Sequence, residues 1–125
     1  MLCLHPADRG ELGGARILGR KTIELMTLNH LPGGQDISQL NIGGQFSQVA
    51  YEGVGFGLGF SVRVKMSPWD PQGHVGEYGW GGAASTHYWV SPKDELIVVT
   101  MEQVMPYSFT TEWAVKKLIY DAIEN

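Results

Sequence analysis

Cysteine, blocks of like charge and long apolar runs are scarce in this sequence. The single cysteine, Cys3, excludes an internal disulfide and a cysteine-based metal cluster. The 9 basic and 13 acidic residues are dispersed and give a net charge of -4, which argues against nucleic acid as a partner. No apolar run is long enough to span a bilayer, and residues 1–14 lack a signal-peptide pattern. We therefore expect a soluble, cytoplasmic protein without membrane contact, or a periplasmic one if a leader has been lost.

The usual motifs for metal binding and nucleophilic catalysis are also missing. The four histidines are widely spaced and form no H-E-x-x-H pair, so no metal site is predicted. The motif G-x-S-x-G does not occur. S-x-x-K is also absent, because no serine is followed by lysine three residues later. The glycine stretches 53–59 and 79–82 neither end in Lys-Ser/Thr nor open a helix, which disfavours a phosphate loop. No cofactor and no catalytic residue is predicted from these patterns.

Isolated titratable residues have an ordinary structural explanation at this stage. His87 lies in a predicted strand beside two aromatic residues, and we weigh a structural or surface histidine above a catalytic base. Glu77, Asp94 and Glu95 fall at predicted strand ends or turns, where solvated charges are the favoured interpretation. No acid pair follows from their spacing alone.

Glycine, in contrast, is abundant, with 17 residues among 125, and it recurs inside apolar stretches. The segment 76–101 predicts three strands, at residues 77–82, 85–90 and 95–101, because its aromatic and β-branched residues suit a half-buried sheet. The run Gly81-Gly82-Ala83-Ala84 leaves one strand almost bare of side chains. Such bareness often marks a place where a ligand or another backbone comes close.

The rest of the chain completes an α+β domain spanning residues 1–125. Alternation over residues 55–64 predicts a fourth strand, and helical spacing over residues 21–29 predicts a short N-terminal helix. Residues 1–6 have the pattern of a helix end, and residues 35–53 are expected to form a long loop. A C-terminal helix follows Ser108, with an apolar stripe of Val115, Leu118, Ile119 and Ala122. We therefore expect an antiparallel sheet of about four strands, with the C-terminal helix on one face.

The order of these elements resembles the C-terminal part of the serine β-lactamase and penicillin-binding-protein superfamily. The similar residues are the G-x-G-L-G-F strand, G-E-Y-G-W-G-G-A-A-S-T, an aromatic strand ending in Ser-Pro, an apolar strand and the final helix. The segment 10–32 also resembles the tail of that family's all-helical subdomain. The class C β-lactamases and the family VIII carboxylesterases are the most similar members. The resemblance implies a partial β-lactamase-like fold over nearly the whole chain.

The resemblance also implies site residues. Trp80-Gly81-Gly82 occupies the place of the family's third motif, Lys-Thr-Gly, in the Trp-Gly-Gly form of several esterase-like members. That strand borders the cleft of the family, and the backbone N–H after the motif, here that of Ala83, helps to form the oxyanion hole. An ester or a β-lactam is the ligand class that this resemblance implies.

Two parts of the family's machinery are absent from the 125 residues. The Ser-x-x-Lys motif supplies the family's nucleophile, and the Tyr-x-Asn/Ser motif accompanies it; neither occurs here. The resemblance therefore implies a remnant or C-terminal fragment of a serine hydrolase that is inactive alone. A rebuilt nucleophile would be sought at Ser85, beside the glycine strand.

The family's last strand pairs with its first, so residues 96–101 are expected to form a bare edge. That edge predicts a homo-oligomer or a complex with an N-terminal fragment.

Two alternatives to the inactive remnant stay open. The chain is one half of a split hydrolase, or it is a small-molecule binding or protein-interaction module that reuses the sheet. In the second case a groove is expected between five aromatic residues: Trp69, Tyr78, Trp80, Tyr88 and Trp89.

Overall fold

The computed structural model describes residues 10–40, 42–43 and 49–123. The prediction for residues 1–6 and part of the one for residues 35–53 lie outside this range. The elements follow in chain order: strands β1 (Glu11–Leu12) and β2 (Ala15–Arg16), helix α1 (Arg20–Met26), strands β3 (Val54–Phe56), β4 (Ser61–Arg63), β5 (Tyr78–Gly81), β6 (His87–Ser91) and β7 (Leu96–Thr100), and helix α2 (Thr110–Ile123). Short 3-10 turns lie between α1 and β3.

The main sheet is antiparallel and has five strands in the order β3-β4-β5-β6-β7, and β1 and β2 form a separate hairpin. Trp80 pairs with Tyr88 and Gly81 with His87 between β5 and β6, while Val90 pairs with Ile97 between β6 and β7. The predicted α+β architecture, with an antiparallel sheet and a closing helix, is confirmed. The three strands predicted in residues 76–101 are all present as β5, β6 and β7.

The fourth predicted strand, residues 55–64, is in fact a hairpin, which brings the sheet to five strands. Strands β3 and β4 pair with each other, and the Gly57 N–H donates to Phe60 O at 2.8 Å across the turn. Gly59 has φ +94°, a left-handed conformation that side chains disfavour and that turns require. The alternating pattern of Phe56, Leu58 and Phe60 conceals this turn, and Leu58 is exposed.

The apolar core lies on one face of the sheet. It contains Phe60, Val62, Tyr78 and Val90, with Leu18, Ile23 and Met26 packed against them from the segment that includes α1. Helix α1 ends at Met26 rather than at residue 29. Beyond this end, the Asn29 side chain accepts the Phe56 N–H at 3.1 Å. This bond joins the helix exit to β3. No described helix has both the length and the apolar character needed to cross a bilayer.

The predicted apolar stripe of α2 is not the face that packs on the sheet. Leu118 is 69% exposed, whereas Glu112, Lys116 and Tyr120 are the buried residues of this helix. The three buried residues follow at i, i+4 and i+8, so they share one face. Helix α2 therefore contacts the sheet face opposite the core through polar side chains.

Candidate functional site

A cavity of about 110 Å³ lies between the sheet and helix α2. Its walls come from strands β3 to β6, the turn before β3, Asp70, helix α2 and the segment that leads into α2. All four residues that the family resemblance assigns to a site line this cavity: Trp80, Gly81, Gly82 and Ala83. The structure therefore brings these residues to one concave surface, whose remaining walls carry charged and aromatic side chains.

The glycine strand forms a wall that has no room for larger residues. A Cβ atom at Gly79 would lie 2.1 Å from Tyr88 O, and one at Gly81 would lie 2.6 Å from Tyr107 Cε2. Contacts this short do not occur in folded proteins, so both positions need glycine unless a neighbour moves. Tyr107 thus packs directly on the backbone of β5 at Gly81.

The turn after β5 is held by hydrogen bonds of its own and by Ser85. The Gly82 N–H donates to Thr86 O at 2.7 Å, and the Ser85 N–H donates to Gly82 O at 2.9 Å. The Ser85 hydroxyl donates to Val104 O at 2.7 Å and accepts the Ser108 N–H at 3.0 Å. With 1% of its surface exposed, Ser85 ties two loops together, and its hydroxyl is not presented to the cavity as a free nucleophile.

Four charged side chains form a buried network, called here the charge cluster: Arg63, Asp70, Glu77 and Lys116. Lys116 Nζ lies 2.8 Å from Glu77 Oε2 and 2.9 Å from Asp70 Oδ2. Arg63 Nε lies 3.3 Å from Glu77 Oε2, and its Nη2 pairs with Asp70. The prediction of a solvated Glu77 is therefore wrong: it is 4% exposed, because two cations from β4 and α2 compensate its charge.

Burial changes the proton affinities around this cluster. Desolvation, followed by the neighbouring Arg63, lowers the pKa of Lys116 to about 8. Desolvation also lowers the pKa of Arg63. Tyr120 donates a hydrogen bond to Glu77 Oε1, and burial together with this bond raises the pKa of the Tyr120 hydroxyl. The network thus contains two cations, two carboxylates and a neutral phenol.

A second polar group lies beside the charge cluster. The Tyr107 hydroxyl donates to Glu112 Oε2 at 2.5 Å, and His87 Nε2 lies 3.5 Å from Glu112 Oε1. Burial raises the pKa of Glu112. Burial, followed by Lys116, lowers the pKa of His87 to about 4, so the imidazole is neutral near pH 7. His87 Nδ1 is buried and has no hydrogen-bond partner among the described residues. His87 lines the cavity as a neutral imidazole.

Aromatic rings line the part of the cavity next to Glu112. Phe109 stacks on Trp113 at 5.2 Å and meets Tyr51 and Tyr107 edge-on at 5.5 and 4.8 Å. Of the five aromatic residues expected to line a groove, Tyr78, Trp80 and Trp89 line the cavity. Trp69 and Tyr88 do not contribute to its walls.

Four residues of the site were not predicted from the sequence: Arg63, Tyr107, Glu112 and Lys116. The i, i+4, i+8 spacing of Glu112, Lys116 and Tyr120 was the available signal, because it places two ionisable groups and a phenol on one helix face. Nothing local in the sequence places Arg63 or Tyr107 opposite that face. In residues 10–40, 42–43 and 49–123, no three histidine, cysteine or acidic side chains are grouped to hold a metal ion.

Solved structures of one enzyme share this architecture. A mutant form of simvastatin synthase (LovD) from Aspergillus terreus matches 98% of this chain with a TM-score of 0.67 and 19% identity. The unliganded enzyme from the same organism matches 97% of the chain with a TM-score of 0.64 and 19% identity. In the first match the chain spans 32% of the enzyme's length, about a third. No protein-family model and no curated protein matches the sequence. The predicted resemblance is confirmed at the level of the fold, which is part of the serine β-lactamase and penicillin-binding-protein-like fold.

Proposed function

We propose that this chain forms the acyl-oxygen-binding wall of a serine hydrolase or acyltransferase site of the β-lactamase-like fold. The observation that carries the proposal is the convergence of Trp80, Gly81, Gly82 and Ala83 on one cavity. The similarity to simvastatin synthase supports it through the shared fold. The ligand class is an ester or a β-lactam, as the family resemblance implies.

The proposed role of the wall is electrostatic. The Ala83 N–H donates to no other described residue, and Ala83 is exposed. A preorganised N–H facing a developing oxyanion can lower a reaction barrier by about 3 kcal/mol. The absence of a Cβ at Gly81 and Gly82 lets an acyl group approach the backbone closely. Ala83 is therefore the proposed oxyanion donor.

The nucleophile is proposed to come from outside these residues. The 125 residues contain no Ser-x-x-Lys motif. Ser61, which lines the cavity, donates its hydroxyl to Gly79 O at 2.8 Å, and the Ser85 hydroxyl is buried. A serine needs an adjacent base to act as a nucleophile near pH 7. We expect the isolated chain to be inactive, as a remnant or as one half of a split hydrolase.

Intact-mass spectrometry after incubation with a fluorophosphonate ester, and separately with a penicillin, tests the missing nucleophile. An unmodified mass is expected in both cases. A stoichiometric adduct on any serine would overturn this part of the proposal.

Amide NMR tests the oxyanion wall. Butyrate, which presents an anionic acyl oxygen, is expected to shift the Ala83 amide resonance, whereas butyramide shifts it much less. Ala83→Pro removes the N–H donor and is expected to abolish the response of the neighbouring Gly82. Unchanged β6 amide resonances would show that this variant folds. Equal responses to the two ligands in the wild-type protein would contradict the proposal without recourse to any variant.

We further propose that strand β7 pairs with another strand. It is the last strand of the described sheet, and Val99 and Met101 are 53% and 82% exposed. An apolar edge of this kind is a template for strand addition. The partner is a second copy of the chain or a separate N-terminal fragment.

The aromatic lining favours a second candidate function, a small-molecule binding module without turnover. Tyr51, Tyr107, Phe109 and Trp113 line the same cavity as the glycine wall. Binding without an oxyanion response at Ala83 would favour this candidate.

A further inference from the structure

We propose that the cavity binds a small organic cation, an alkylammonium or quaternary ammonium group, at its Glu112 end. The inference deepens the proposed function, because it names the substrate class as an ester with a cationic head group. It rests on the proposed function only for the ester part. Binding of the cation depends on the cavity alone.

One carboxylate at the cavity, that of Glu112, forms no ion pair with Arg63 or Lys116 within the described residues, although the charges of both cations act on it. Five charged side chains line the cavity: Arg63, Lys116, Asp70, Glu77 and Glu112. Asp70 and Glu77 pair with both cations. Glu112 instead contacts the Tyr107 hydroxyl and His87, and both partners are neutral near pH 7. An incoming cation would therefore complete the charge balance at Glu112.

The walls beside Glu112 suit a cation because they are aromatic. Tyr51, Tyr107, Phe109 and Trp113 all line the cavity. Aromatic ring faces attract ammonium groups, and cages of such rings recognise quaternary ammonium ligands. A buried carboxylate with aromatic neighbours offers both an ion pair and cation–π contacts.

A second carboxylate beside Glu112 gives independent support. Glu102 Oε1 is buried and accepts no hydrogen bond from a described residue. Burial raises the pKa of Glu112, and the nearby Glu102 carboxylate adds to this effect. A buried acceptor without a donor is costly, and two carboxylates near each other repel. An ammonium group bound at Glu112 would lessen this repulsion.

The size of the cavity limits the ligand. Each bound water needs roughly 10–15 Å³ of such space, so a cavity of about 110 Å³ holds roughly seven to eleven water-sized groups. Choline, a quaternary ammonium alcohol, falls in this range. Its neutral isostere 3,3-dimethylbutan-1-ol has the same shape with carbon in place of nitrogen, which makes the pair a matched test of charge.

The experiment compares the two ligands by amide NMR titration of the whole chain. We expect choline to bind about tenfold more tightly than 3,3-dimethylbutan-1-ol. Glu112→Gln should remove this preference while leaving the affinity for the neutral isostere unchanged. Glu24→Gln, which makes the same charge change on the exposed surface of α1, should keep the preference. Equal affinities of the wild-type protein for the two ligands, or no choline binding at all, would overturn the inference.

A measurement on the wild-type protein covers the case in which Glu112→Gln does not fold. Saturating choline is expected to lower the pKa of Glu112, followed through its side-chain carboxyl ¹³C resonance, because a bound cation favours the charged form. The other groups facing Glu112 are Tyr107, His87, Glu102, Lys116 and Arg63, so their resonances are monitored in the same titration. A Glu112 pKa that choline leaves unchanged would contradict the inference.

The outcome also separates this inference from the proposed function. Choline binding that depends on Glu112, without a butyrate response at Ala83, would reject the acyl wall and retain the cation site. A butyrate response without choline binding would reject the cation site and retain the acyl wall.

Discussion

Lys116 Nζ lies 2.8 Å from Glu77 Oε2, which joins helix α2 to the start of strand β5 by a buried ion pair. Leu118, in the predicted apolar stripe of α2, is exposed. We therefore expect the ion pairs of Lys116 with Glu77 and Asp70 to hold the helix on the sheet. Lys116→Met would leave two buried carboxylates with Arg63 as their remaining cation. We expect the free energy of unfolding to fall by about 3 kcal/mol, as for buried pairs that lose one partner, measured by urea denaturation.

Lys117→Met is the matched control for this prediction. Lys117 is 62% exposed and pairs with Asp121 one turn along the helix, and exposed pairs of this kind contribute about 0.5 kcal/mol or less. Equal losses for the two variants would show that the buried pairs do not hold α2.

Acid should destabilise the protein through His87. The pKa of His87 is lowered to about 4 in the folded chain from 6.5, so between these values the unfolded chain binds the proton and the folded chain does not. Its contribution to stability is therefore present above pH 6.5 and is lost as the pH falls to about 4. The full effect is about 3 kcal/mol, from 1.36 kcal/mol for each pH unit.

His87→Gln removes this titration. Comparing the free energy of unfolding of this variant with that of the wild-type protein therefore isolates the contribution of His87. The raised pKa of Glu112 acts in the opposite direction as the pH falls, because the folded chain then binds the proton more tightly. The variant retains Glu112, so the difference between the two proteins reports on His87. Parallel curves of unfolding free energy from pH 7 to 4 would contradict the prediction.

Gly81→Ala should disturb the wall of the cavity through Tyr107. The added Cβ would lie 2.6 Å from Tyr107 Cε2 and 2.7 Å from its hydroxyl, so the ring must move and weaken its bond to Glu112. We expect a loss of about 1–2 kcal/mol in the free energy of unfolding. In a Tyr107→Ala background the loss should be much smaller, which a double-mutant cycle measures.

Gly19→Ala serves as the control for added bulk, because a Cβ there would meet Thr22 Oγ1 at an ordinary 3.6 Å. If Gly81→Ala lowers the free energy of unfolding by the same amount in the Tyr107→Ala background, the strain does not come from the contact with Tyr107.

Blocking the β7 edge should change the state of assembly. Val99→Lys places a charge on the exposed edge, a device that discourages strand pairing. We expect light scattering to show a dimer for the wild-type chain at micromolar concentration and a monomer for this variant. Val75→Lys, at another exposed valine, should remain dimeric. A strictly monomeric wild-type chain would reject the homodimer and leave the separate N-terminal fragment, to be tested by adding it.

The elements that sequence patterns predicted well are those with strong local signals. Residues 76–101 form β5, β6 and β7 as expected, because aromatic and β-branched runs separated by turn residues specify strands locally. The hairpin of β3 and β4 was missed, since Phe56, Leu58 and Phe60 continue the alternation through a turn that depends on the left-handed Gly59. Periodicity does not distinguish one long strand from two short ones in that case.

The candidate site, like the fold, was predicted from the sequence only in part. The motif around Trp80 was visible from its resemblance to a known family, and the structure places it on the cavity. Glu77 was expected to be solvated, yet it is buried, because its partners Arg63 and Lys116 are 14 and 39 residues away. Long-range pairing of this kind leaves no local pattern in one sequence.

The sequence by itself determined strands β5, β6 and β7, the closing helix and the glycine-rich strand bare of side chains, because backbone preferences and side-chain size act locally. The tertiary structure alone decided which face of α2 is buried and which charges meet there. An apolar stripe predicts which helix face is buried when no buried charge on the neighbouring sheet needs a partner from another face. Here Glu77 on the sheet side pairs with Lys116 and accepts a hydrogen bond from Tyr120, because a buried charge must be paired, and these contacts fix which face of the helix is buried.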